Sequence, residues 1–188
     1  MFLYLLLNLG SISIPFAYSF EKNMQFIKHW KAVFFSLTIV AAIFLIWDAI
    51  FTANGVWGFN PDYHINFLFF GMPIEEWMFF FCIPYASVFI HYSLEYFKPT
   101  LLIPQKTTKA ITVFFILILI PVIILNNDKA YTLVNYSFLF FVLSMGFFFG
   151  IKHLQRFYIA FLIILIPFFI INGILTGTGI EEPVVWYN

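Results

Sequence analysis

Apolar positions along the chain run in long blocks rather than in amphipathic stripes. Six such blocks stand out, at residues 2–20, 32–51, 73–92, 110–125, 132–150 and 157–173, separated by short polar connections. A helix needs about 20 apolar residues to cross a bilayer, and a helix satisfies its own backbone hydrogen bonds where no water can. The pattern predicts an all-α, polytopic transmembrane helical bundle with six helices present. The first block has no basic segment before it and contains Asn8 and Pro15, so it reads as a helix of the protein and not as a secretory leader.

The polar remainder refines this picture. Hydrophobic residues make up 63% of the chain and charged residues only 10%, well outside the range of ordinary globular domains. Eight of the nine basic residues, Lys22, Lys28, Lys31, Lys98, Lys106, Lys109, Lys152 and Arg156, fall in the loops after blocks one, three and five; only Lys129 falls on the other side. By the positive-inside rule the N-terminus is expected on the non-cytoplasmic face of a multi-pass integral membrane protein. A net charge of zero carries no nucleic-acid signal. The single cysteine, Cys82, excludes a disulfide framework, and His29, His64, His91 and His153 are scattered with no metal-ligand spacing.

The two halves of the chain resemble each other. "YLLLN" at 4–8 matches "YTLVN" at 131–135, and "WDAIFTANG" at 47–55 lines up with "INGILTGTG" at 171–179. Blocks one and two thus return as blocks five and six in the same orientation, a parallel internal repeat of the kind that often frames a site between its copies. The expected organisation is a first repeat of three helices at 1–92, a connector with the fourth helix at 93–130, and an incomplete second repeat at 131–188. The first copy leads into Pro73, Glu75 and Glu76, whereas the second reaches Asn188 before any counterpart. A seventh helix carrying its own acid is therefore expected beyond the C-terminus or from another chain. "GFFFG" at 146–150 fits a small-residue helix contact.

Polar side chains inside apolar blocks are the candidate chemistry. Asn8 and Asn135 start blocks one and five, Asp48 and Asn172 end blocks two and six, and Glu75 and Glu76 start block three, so all six fall at one membrane depth. Pro73 and an acid suit the first turn of a helix, which accounts for one glutamate. Neighbouring residues point about 100° apart on a helix, so the second needs a partner of its own. Glu181 and Glu182 read as a solvated loop. Trp47, Trp57, Trp77 and Trp186 fit an interfacial belt, and aromatic faces beside an acid also suit a transient cation. There is no dinucleotide or phosphate-loop fingerprint, which leaves acid–base work on something apolar.

"YLLLNLGSISIPF", "WDAIFTANGVWGFNP", "MPIEEWMFFFCIPY" and "INGILTGTGIEEPVVWYN" together resemble the membrane-type lycopene cyclase domain, found in heterodimeric bacterial and bifunctional fungal enzymes. The resemblance implies a lycopene β-cyclase of the bacterial cytoplasmic membrane. Such an enzyme converts lycopene through γ-carotene to β-carotene by proton transfer without net redox change, and no flavin, metal or other cofactor is expected. It implies Glu75 or Glu76 as the acid, with Asp48 or the acid of the missing segment as base or cation stabiliser. Asn8, Trp47, Trp57, Asn60, Trp77, Asn135 and Asn172 are the expected substrate-facing residues. Expected partners are lycopene, γ-carotene, membrane lipid and either a second cyclase chain or a second copy of this one. The competing readings are a non-catalytic carotenoid-binding or transport module and a scaffold subunit of a heteromeric cyclase.

Overall fold

The structure, a computed structural model, describes residues 2–188. Its helices are α1 (Leu3–Tyr18), α2 (Trp30–Ala53), α3 (Ile74–Phe97), α4 (Gln105–Leu125), α5 (Ala130–Phe149) and α6 (Ile151–Leu175). Five of them, α2 to α6, are long and apolar enough to cross a membrane. At 1.5 Å per residue, the 16 residues of α1 rise about 24 Å, and it is the short member of the set. Side chains such as Phe35, Ile46, Leu117, Phe148 and Phe169 are mostly exposed on these helices. Water would not tolerate so much open apolar surface, and lipid supplies its natural solvent. The protein is an integral membrane protein.

Two expectations about the connections change. The helices extend further into the polar segments than the apolar blocks do, so Lys31 lies in α2, Lys106 and Lys109 in α4, and Lys152 and Arg156 in α6, not in loops. Long aliphatic stems allow these side chains to cover the ends of apolar helices while their charges stay wet. Of "GFFFG", Gly146 lies in α5 against Leu154 of α6, where an added Cβ would meet it at 3.0 Å, whereas Gly150 is the cap just after the helix and not part of its face.

The polar segments also hold four short strands. β1 (Trp57–Phe59) pairs antiparallel with β4 (Val185–Tyr187), with Gly58 opposite Trp186. β2 (Leu68–Phe69) and β3 (Met72–Pro73) form a hairpin whose two turn residues, Phe70 and Gly71, both have positive φ (52° and 77°), the geometry that two-residue hairpins demand. Ile74 donates its N–H to Phe67 O at 2.9 Å, which ties this hairpin to the start of α3.

The chain forms two compact units. One comprises the residues up to Tyr96 together with Ile163–Asn188; the other is Phe97–Leu162. In the first, Tyr4 packs with Leu175 and Val184, Met72 with Ala41 and Leu45, and Phe26 with Tyr85 and Phe89. In the second, α4 packs along α5, and Thr112 shares a 2.7 Å hydrogen bond with Tyr158 of α6.

Candidate active site

Glu75 and Glu76 occupy the first turn of α3, directly after the hairpin strand that carries Pro73. Both are buried. Because they are adjacent on the helix they diverge, and each meets a different set of groups.

Glu76 faces α1 and α2. The Tyr4 hydroxyl donates a short hydrogen bond to Glu76 Oε2. Asp48, near the end of α2 and 5% exposed, lies against the Glu76 carboxyl and also meets the Trp57 side chain from β1. The Trp57 ring is held by Phe51 at 5.0 Å and Trp47 at 6.3 Å. Asp48 Oδ2 is buried and has no hydrogen-bond partner among the described residues.

Glu75 faces the segment between β1 and β2. Its Oε1 accepts the Ile65 N–H at 2.8 Å, while Oε2 is buried without a partner among the described residues. Asn8, fully buried on α1, donates from Nδ2 to the Glu75 carbonyl at 2.9 Å, and its own Oδ1 is likewise unpaired. His64 is buried beside Glu75 and accepts the Asn66 N–H on Nδ1 at 3.0 Å. Burial holds the His64 imidazole below its usual range, against the opposing pull of the Glu75 charge.

Three oxygens from three helices, on Asn8, Asp48 and Glu75, are therefore buried and unsatisfied around one pair of glutamates. Native interiors leave few such groups, and each calls for a chemical reason. An arrangement of this kind can hand over a proton and stabilise positive charge: two carboxyls in contact, a phenol hydrogen-bonded to one of them, and indole and phenyl faces nearby.

The other sequence candidates are placed differently. Asn60 is bound up in the backbone: its N–H donates to Val184 O at 2.9 Å, its Oδ1 accepts the Asp62 N–H at 3.0 Å, and its Nδ2 donates to Glu182 Oε2 at 3.0 Å. Glu182, expected as a solvated loop acid, is exposed but serves as this anchor. Trp77 donates its indole N–H to Phe69 O at 3.2 Å and packs on the hairpin rings of Phe69 and Phe70. Asn172 lines an apolar groove with residues of α1 and α3. Asn135 belongs to the second unit and is half-buried on α5. Sequence reasoning missed Tyr4 and His64. Tyr4 did carry a signal, since it belongs to the repeated Tyr-x-Leu-x-Asn pattern, whereas nothing in its neighbours singles out His64.

A family model described as lycopene cyclase matches residues 1–97 and 128–188. The matched stretches include every member of the carboxyl cluster and cover most of the chain. No curated protein and no solved structure matches it. The chain belongs to the lycopene cyclase family, which supports a role in carotenoid cyclisation.

Proposed function

We propose that this member of the lycopene cyclase family closes the linear ends of lycopene into β-ionone rings, with γ-carotene between the two closures, and that Glu76 with Asp48 supplies the proton. The observation that carries this reading is the contact between the two buried carboxyls, with Tyr4 hydrogen-bonded to Glu76 and one Asp48 oxygen left open. No Lys or Arg among the described residues forms an ion pair with either. Two like charges side by side without a cation are costly in such a setting, so the pair keeps a proton that it can donate.

The reaction needs only that proton and a place to return one. Protonation of the terminal double bond gives a tertiary cation. The electron pair of a neighbouring double bond forms the ring carbon–carbon bond, and the positive charge moves into the ring. Loss of a proton from the adjacent ring carbon leaves the ring double bond, and the molecular formula is unchanged. Glu75 Oε2 is the open base for that step, and the π faces of Trp57 and Phe79 offset the positive charge while it lasts. Phe79 stands 6.3 Å from the Tyr4 ring, whose hydroxyl is bonded to Glu76.

The test is pigment analysis in a lycopene-producing host, with membrane abundance measured in parallel. Glu76→Gln keeps the shape of the side chain but cannot donate a carboxyl proton. It is expected to lower ring formation by about 10²–10⁴-fold, the range of general acid–base groups, at normal membrane abundance. Glu181→Gln, an exposed loop change, should leave the pigments unaltered. Near-normal β-carotene from Glu76→Gln would remove the assignment.

A further inference from the structure

The carboxyl cluster accounts for the reacting end of a long substrate but not for the rest of it. A groove of about 440 Å³ opens between α1, α3 and the C-terminal part of α6. Its lining is built from the helix faces that carry the cluster. Leu7 follows Tyr4 by three residues, Phe79 follows Glu76 by three, and Ile171 precedes Leu175, the packing partner of Tyr4, by four. Residues three or four apart share a helix face, so the groove begins about one helical turn from the Tyr4–Glu76 contact, with Leu7, Phe79 and Ile171 packed between, and runs toward the opposite ends of α1 and α3.

Its length and polarity define what it holds. The lining on α1 runs from Leu6 to Pro15 and on α3 from Phe79 to Ile90, rises of about 14 Å and 16 Å. The two serines in it do not face outward for a polar ligand. Ser11 Oγ donates to Leu7 O at 2.5 Å, and Ser87 Oγ donates to Ile83 O at 2.9 Å. Gly10 widens the α1 side, where an added Cβ meets no atom within 4 Å. An elongated apolar slot that begins one helical turn from a buried carboxyl pair suits an extended hydrocarbon whose tip is the reacting group.

We propose that this groove seats the conjugated polyene arm of the substrate, laid along α1 and α3 with its end group against Tyr4 and Glu76. The inference rests on the cyclase reading for the identity of the polyene, but it assigns the binding site to residues outside the carboxyl cluster. Gly10 and Ala86 then set the room available to the arm, and side-chain bulk at either position excludes it.

The test is binding, independent of turnover. Lycopene is achiral, and an induced circular-dichroism band in its visible absorption reports a fixed seat on protein and not pigment dissolved in lipid. The purified full chain in nanodiscs is titrated with lycopene. Wild type and Glu76→Gln should both give the band, whereas Gly10→Leu and Ala86→Leu should weaken binding by about tenfold or more. Replacing Gly10 by Leu raises helix propensity, so α1 is not weakened by the change, and far-ultraviolet dichroism checks both groove variants. Wild-type binding by the two groove variants would overturn the proposal, as would loss of the band when excess phospholipid competes, which would make an acyl chain the occupant. The two readings fail separately. A groove that binds lycopene while Glu76→Gln still forms rings refutes the proton donor alone, and groove variants that bind normally while Glu76→Gln is inactive refute the seat alone.

Discussion

Two adjacent glutamates at the start of one helix take different partners because a single step along α3 turns the side chain by about 100°. Glu76 is directed to Tyr4 and Asp48, and Glu75 to the Ile65 N–H and His64. A first-turn acid could be explained by the free N–H groups of the helix alone. The burial of both, with a second carboxyl against one of them, could not. His64 gives the cluster a measurable pH signature. Burial lowers its pKa in the folded state, so folding favours the neutral imidazole. That stabilisation is fully present above the unfolded value of about 6.5 and is lost as pH falls through the lower folded value. The thermal midpoint of wild type in detergent is therefore expected to fall on acidification below pH 6.5 more steeply than that of His64→Gln. Parallel curves for the two proteins would show that His64 is not held in its neutral form.

At the scale of elements, the helices were legible and the segments joining them were not. Long apolar blocks leave a chain few choices, and every predicted block contains a helix, with ends displaced by up to six residues where Lys, Arg and Gln extend the turns. Asp48, Glu75 and Glu76 were legible as a group because ionisable side chains in such blocks are costly and topology fixes their depth. The strands were hidden because β1 and β4 are three residues long and pair across more than 120 positions, a register that local pattern does not carry. The same distance in sequence hides the bonds of Asn60, an anchor for the C-terminal segment whose role is visible only with Val184 and Glu182 beside it. The strand pair depends on Gly58. A Cβ there would lie 2.1 Å from a ring carbon of Trp186, closer than any packing allows. Gly58→Ala is expected to destabilise the protein by about 1–3 kcal/mol, the usual cost of overpacking, and to disturb Trp57 on the same strand and with it the Asp48 contact. Thermal melting and pigment analysis read both effects, and adding Trp186→Ala should restore them in part. If the double variant is no better than Gly58→Ala, the clash is not the cause.

At the scale of the whole molecule, a pair of buried carboxyls and an apolar groove about one helical turn away share the helices of a membrane-embedded protein. Water is scarce there, so in the proposed reaction the proton for an alkene comes from a side chain, and the groove is the proposed seat for the rest of the substrate. In the proposed reaction ring closure begins with proton donation to carbon, and carboxyl protons exchange with solvent between turnovers. Cyclisation of unlabelled lycopene in heavy water, followed by mass spectrometry of the products, tests this most directly. One deuterium per ring formed is expected, so one in γ-carotene and two in β-carotene. Rings formed in heavy water without deuterium would contradict it.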